Sequence, residues 1–161
     1  MDVGKDRKEE VMKLSTMAIA IFCLLTTGGY TVSADTKNTI ANINGKLLPG
    51  LVADEVDTSI MLDTIDADGN QLIVRKGTRK AGTRIGIHIH KYGGHTCVLT
   101  GEITDFIEGR DPRKFSAGTC YYMPPNVPMA AANLGIEDAI LIDTFIVPPG
   151  EPTITILEHN H

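Results

Sequence analysis

Along most of the chain, apolar residues come in short runs that alternate with polar ones and end at turn-forming residues. The runs are 59–62, 71–75, 84–89, 96–99, 102–107, 119–123, 139–147 and 153–157. Between them stand Asp68-Gly69-Asn70, the stretch 79–82, Gly93-Gly94, the stretch 108–112 and Pro124-Pro125-Asn126. A strand points successive side chains to opposite faces, so a half-buried sheet reads with a period of two. No long window favours the helical period over that alternation. Many short strands at even spacing, with turn chemistry between them, predict an all-β sandwich or barrel. Asp66-Ala67-Asp68-Gly69-Asn70 opens like a calcium loop but lacks the later ligands and the closing Glu, so it reads as a hairpin turn.

The N-terminal stretch departs from the pattern. Residues 17–25 form an unbroken apolar run, preceded by Lys13 and followed by the small residues Val32-Ser33-Ala34. Such a run is too short to cross a ~30 Å hydrocarbon core as a helix, and with these flanks it reads as a secretory signal. Cleavage is expected after Ala34. This gives a signal peptide at 1–34 (with Met12 as an alternative start), an arm at 35–48 and a barrel domain at 49–161. The expected location is secreted or periplasmic, with no membrane association after cleavage.

Charges in the first 34 residues cancel, so the net charge of −5 belongs to the exported part. A mildly acidic domain lacks the basic face that phosphate contacts require, which argues against nucleic-acid binding. Cys97 and Cys120 are the cysteines left after cleavage, and export places them where a disulfide persists. Two free buried thiols are the alternative.

Candidate chemistry concentrates in His88-Ile89-His90-Lys91-Tyr92-Gly93-Gly94-His95, which holds three of the five histidines. Residues i and i+2 of a strand share a face, so His88 and His90 project together. Gly93-Gly94 allows a tight turn that returns His95 beside them. Three neutral imidazoles suit a transition metal. His159 and His161 stand at the C-terminus and are read as frayed.

These residues and those that follow resemble the two motifs of the cupins. Gly82 precedes His88-x-His90 at the family's interval, and Gly101 closes the strand after Cys97-Val98-Leu99-Thr100. Gly118, Pro124 and Asn133 match the second motif. The resemblance spans 72–147 and implies a double-stranded β-helix, or jelly-roll, barrel with a metal near its centre. Three positions depart from the family. His95 stands where the first motif has Glu, Met129 where the second has His, and Asn126 where the second has Gly.

The implied ligand set is therefore His88, His90, His95 and Met129, around a divalent transition metal: Fe, Zn, Cu, Ni, Co or Mn. Ligation by Met129 would favour copper, and the alternative is a flexible core filler. A divalent ion on neutral imidazoles keeps its full charge and draws an anion into an open position.

If 84–90 is one regular strand, Arg84 shares the face of His88 and His90 and is a candidate clamp for a substrate carboxylate. A later strand start would leave it on a solvated rim. Arg75, Lys76, Arg79 and Lys80 read as solvated basic surface on a turn. Cys97 shares the parity of His95 and is expected to face inward. In the topology the resemblance implies, its strand pairs with the one opened by Gly118, making Cys97 and Cys120 a candidate disulfide. Tyr122 is a candidate substrate-binding phenol, or a packed aromatic. Glu102 and Asp143 are available carboxylates, with no spacing argument for either.

The resulting expectation is a metal-dependent enzyme, dioxygenase-, isomerase- or lyase-like, acting on a small oxygenated or anionic molecule. Against it stand a non-catalytic module that binds a metal or small ligand, and a cupin whose site has decayed. A homodimer through an edge strand at 154–157 is also expected.

Overall fold

The computed structural model describes residues 42–158. The expected signal peptide at 1–34, the first part of the arm, and His159 and His161 lie outside the described residues.

Fourteen strands make up the described residues, with no helix among them. In chain order they are β1 (Asn42–Ile43), β2 (Lys46–Leu47), β3 (Leu51–Val52), β4 (Val56–Ile65), β5 (Gln71–Arg79), β6 (Thr83–Arg84), β7 (His88–Ile89), β8 (Gly94–Thr100), β9 (Glu102–Ile107), β10 (Arg113–Ser116), β11 (Cys120–Met123), β12 (Met129–Ala132), β13 (Ala139–Val147) and β14 (Thr155–Ile156). One sheet runs β11-β8-β13-β5-β4. The other runs β10-β9-β12-β6-β3, with β7 beside β12 and β14 beside β7.

The period of two sets what lies between the sheets. In β13, Ala139, Leu141, Asp143, Phe145 and Val147 are buried while most intervening residues are half-exposed. Their inward faces meet Val98, Ile103, Ile107, Tyr121, Met123, Met129 and Ala131 in the main core. Each fully buried large apolar side chain there contributes about 1.5–3 kcal/mol. A second, smaller cluster covers the other face of β9 and β12. It joins Phe106, Ala130, Ala132 and Ile87 to Ile43 of the arm.

The arm is therefore part of the packed structure from Asn42 onward. Asn44-Gly45 makes a tight β1–β2 hairpin, with φ of 52° and 71°, as a two-residue turn between strands requires. The Asn44 side chain accepts from Gly109 N at 2.7 Å and donates to Arg110 O at 2.9 Å. The Asp66–Asn70 segment is the β4–β5 hairpin, with Asp66 Oδ1 accepting from the amides of Asp68 and Asn70. It is a turn, as expected.

The run 84–89, expected as one strand, contains a break that matters for the site. On β12, Ala132 pairs with Arg84 and Met129 pairs with His88. Three steps along β12 thus face four along the segment from Arg84 to His88, which is a β-bulge. Ile85 lines the interior and Ile87 joins the outer cluster, so the extra residue falls at Gly86. One inserted residue moves everything beyond it to the opposite face.

Candidate functional site

The inner faces of the two sheets enclose a small cavity, bounded also by Glu55 from the β3–β4 link and by Thr153 and Ile154 ahead of β14. His88 and His90 line it, each only 3% exposed. Their Nε2 atoms face one another at 3.0 Å. The Nδ1 of His88 lies 2.8 Å from Gly86 O, and the Nδ1 of His90 lies 2.7 Å from Thr153 O. A carbonyl oxygen only accepts, so each Nδ1 donates its proton and each Nε2 presents a lone pair.

Burial keeps both rings neutral. It lowers the pKa of His88 to about 3, with His90 adding to the effect, and it lowers that of His90 as well. Two facing lone pairs repel unless a cation or a shared proton joins them. Carbonyls on Nδ1 that aim Nε2 into a cavity are also the outer partners typical of metal-bound histidines. The free space at the centre is about 30 Å³, room for an ion and a water rather than for a large molecule.

The charged part of the wall is one network. Arg75 Nη2 donates to Asp143 Oδ2 at 2.8 Å and lies 3.2 Å from Glu55 Oε2. Arg79 Nη2 lies 3.5 Å from Glu55 Oε1, and Arg79 Nη1 donates to Ala53 O. Thr96 Oγ1 donates to Asp143 Oδ1 at 2.6 Å. Burial raises the pKa of Glu55 and Asp143 raises it further, while the two arginines oppose them. The phenol of Tyr121 is pushed well up by burial, with Asp143 adding, and stays protonated. His90 stacks on Phe145 with ring centres 5.2 Å apart.

Of the four expected ligands, His88, His90 and Met129 line this cavity and His95 does not. His95 is exposed, because β8 turns Gly94, Thr96 and Val98 inward. The expected parity was off by one residue. The inward position is Gly94, and no side chain fits there. A Cβ would stand 2.7 Å from Phe145 Cδ1 and 2.9 Å from Met123 Cε. Among the described residues, no three His, Cys, Asp or Glu side chains are grouped to hold a metal ion. The residues present fit a two-histidine anchor, with Met129 alongside, and not the full cupin ligand set.

Other expectations are corrected for the same reason. The bulge at Gly86 puts Arg84 on the face opposite His88. There it is buried and bound to Glu158 by two bonds of 2.5 and 2.8 Å, so it is no substrate clamp. Tyr122 is 60% exposed on the outer face, and Tyr121 is the inward phenol. Cys97 also faces outward, directly opposite Cys120, and the two sulfurs are bonded at 2.03 Å. Arg75 and Arg79, read as solvated surface, line the cavity from β5. Asp143 lines it from β13, whereas Glu102 pairs with Lys114 at 2.7 Å at the surface.

Glu55, Arg75, Arg79, Thr96 and Tyr121 went unnoticed as site residues. The signal for the arginines was present, because both share the strand parity of Ile73. Asn126 holds φ at 57°, which explains how it replaces the glycine of the second motif. Asn133 locks a turn by donating to Arg79 O and Glu137 O.

Compared by sequence, the chain matches no protein-family model and no curated protein. Compared by structure, it is similar to an uncharacterised conserved protein with a double-stranded β-helix domain from Klebsiella pneumoniae. The TM-score is 0.51 at 22% identity, over 75% of this chain and 92% of that one. It is also similar to a cupin-like protein from Thermotoga maritima, with TM-score 0.51 and 18% identity over 70% and 87% of the two chains. The chain has the cupin fold. An enzyme is among the similar structures: the DMSP lyase DddQ from Ruegeria pomeroyi, with TM-score 0.52 and 18% identity over 66% of this chain. This chain spans only 55% of that lyase.

Proposed function

We propose that this protein is an exported cupin whose buried pocket holds a divalent transition metal through His88 and His90 and acts on a small oxygenated or anionic molecule, in lyase-like fashion. The observation that carries the reading is the pair of Nε2 lone pairs at 3.0 Å, each oriented by a carbonyl on the other ring nitrogen. When bound, the metal would supply Lewis-acid polarisation of a ligand oxygen. The chain itself supplies positive charge from Arg75 and Arg79, a carboxylate acceptor in Asp143, and a protonated phenol in Tyr121. The lyase-like part rests on the shared fold with a DMSP lyase, which is an analogy of architecture. Export is supported by the Cys97–Cys120 disulfide, since such bonds persist in oxidising compartments.

One observation favours a second reading, a non-catalytic binding module. Gly94 stands where a third inward ligand would come from, and the free space is small. A homodimer is also proposed, through the edge at 154–157 or through that of β4. Thr155–Ile156 pairs with β7 alone and keeps one free edge, and β4 ends the other sheet with Ile60, Met61, Leu62 and Ile65 exposed.

Metal analysis of untagged protein reconstituted with each candidate metal tests the main reading. About one ion per chain is expected in the wild type, and almost none in the His88→Ala/His90→Ala double variant with an unchanged circular dichroism spectrum. A folded wild type that retains no metal would sink the reading. If metal is retained but a panel of small carboxylates and oxygenated acids gives no product, the binding module is the correct reading.

A further inference from the structure

Glu55 places a carboxylate between the pocket's two arginines, and it comes from a link rather than from a strand of the wall. Its oxygens lie 3.2 Å from Arg75 Nη2 and 3.5 Å from Arg79 Nη2. Charge-assisted bonds of this kind normally close to about 2.8 Å. In addition, Arg75 Nε and Arg79 Nε are buried with no acceptor. The two guanidinium groups are under-satisfied by their own chain, while Asp143 meets Arg75 at full strength.

The opposite side of Glu55 is shaped for a carboxylate as well. Its Oε2 lies over Gly77 of β5, where any Cβ would collide with it. The φ of Gly77 is not in the left-handed region, so the glycine there supplies space and not backbone shape. The 53–55 link is tied to the barrel by few bonds: Ala53 N donates to Arg84 O at 2.9 Å, and Arg79 holds Ala53 O.

We propose that Arg75 and Arg79 form a carboxylate-binding site, that Glu55 is its built-in occupant, and that a small carboxylate ligand displaces Glu55 and lifts the 53–55 link off the pocket. This rests on the small-anion reading of the pocket but not on the metal. Exchange of one carboxylate for another leaves the network's charge unchanged, so the incoming anion meets no net repulsion. Glu55 recovers its hydration on leaving. The small free volume of the pocket follows, because the chain's own carboxylate fills the ligand's place.

The test titrates acetate and oxalate, with chloride at equal ionic strength as control, into the mature protein, both stripped with chelator and loaded with metal. Glu55→Gln removes the occupant's charge, and Gly77→Ala expels its carboxylate without touching either arginine. Both variants are expected to bind acetate at least tenfold more tightly than wild type, with and without metal. In the wild type, saturating acetate is expected to speed amide hydrogen exchange at 53–55 and leave β5 unchanged. No gain in affinity in either variant, or unaltered exchange at 53–55, would overturn the proposal. So would a gain seen only in metal-loaded protein, since the anion would then be on the metal. A gain that persists in protein unable to hold metal leaves this site standing while the metal reading fails.

Discussion

Tyr121 lies between two buried charged regions of one barrel, and they are built on different terms. On the histidine side, Asp143 accepts from both Arg75 and Thr96 at 2.6–2.8 Å. On the other side, Asp105 sits on the inner face of β9 between Ile103 and Ile107, 5% exposed, with Oδ1 unpartnered. Burial pushes its pKa up to about 7, and the nearby Arg110 and Arg113 only partly oppose that. Glu55 stands between these cases, with a long hydrogen bond from Arg75 at 3.2 Å and Arg79 Nη2 at 3.5 Å. Burial raises the pKa of Asp105 and of Glu55 alike, and positive charge close by only partly opposes it.

The largest expected effect would break the well-partnered side. Asp143→Ala strands Arg75 and Thr96 and should cost about 3–5 kcal/mol in urea unfolding. A loss under about 1 kcal/mol would show that direct contact is not what holds this charge.

Asp105→Asn should act in the opposite direction and depend on pH. The folded pKa of Asp105 lies above its unfolded value, so its contribution to stability is intact near pH 4 and is lost as pH rises through about 7. The variant should therefore be more stable than wild type by up to about 4 kcal/mol at pH 8 and not at pH 4. Equal effects at both pH values would remove the distinction between the two regions.

The smallest effect is expected on the outer face of the β8–β11 pair. His95→Ala and Tyr122→Phe should each change stability by no more than about 0.5 kcal/mol. They should also leave metal content unchanged. Loss of metal in His95→Ala would return that residue to the site and upset the assignment of faces.

How much of this could be read in advance varies by element. β9 and β13 match the expected runs end to end, because both are rich in β-branched and aromatic residues and are bounded by turn residues, and β13 also alternates in burial along its whole length. β12 was not expected. Met129-Ala130-Ala131-Ala132 is buried on both faces and rich in alanine, so it shows neither alternation nor strand preference. β10 is short and largely polar, and it was not among the expected runs. The cupin motifs brought out His88, His90 and Met129, which share one cavity.

His95 was misplaced because a spacing of three or four residues decides which face of β8 is met, and the motif permits both. Arg75 and Arg79 look like solvent-facing charge in isolation. Only the fold brings Asp143 and Glu55 to them, across 68 and 20 residues of chain for Arg75.

The bulge at Gly86 has a consequence for how such a pocket changes over generations. A substitution alters one side chain, but the loss of a single codon at Gly86 would restore regular three-for-three pairing with β12 and leave Arg84 opposite Ala132 and His88 opposite Met129, each on its present face. Ironing out the bulge at constant length would instead turn the first histidine outward. Within this barrel, the pocket's first histidine thus survives the loss of one triplet at the bulge, and what it does not survive is four residues paired as if they were regular strand.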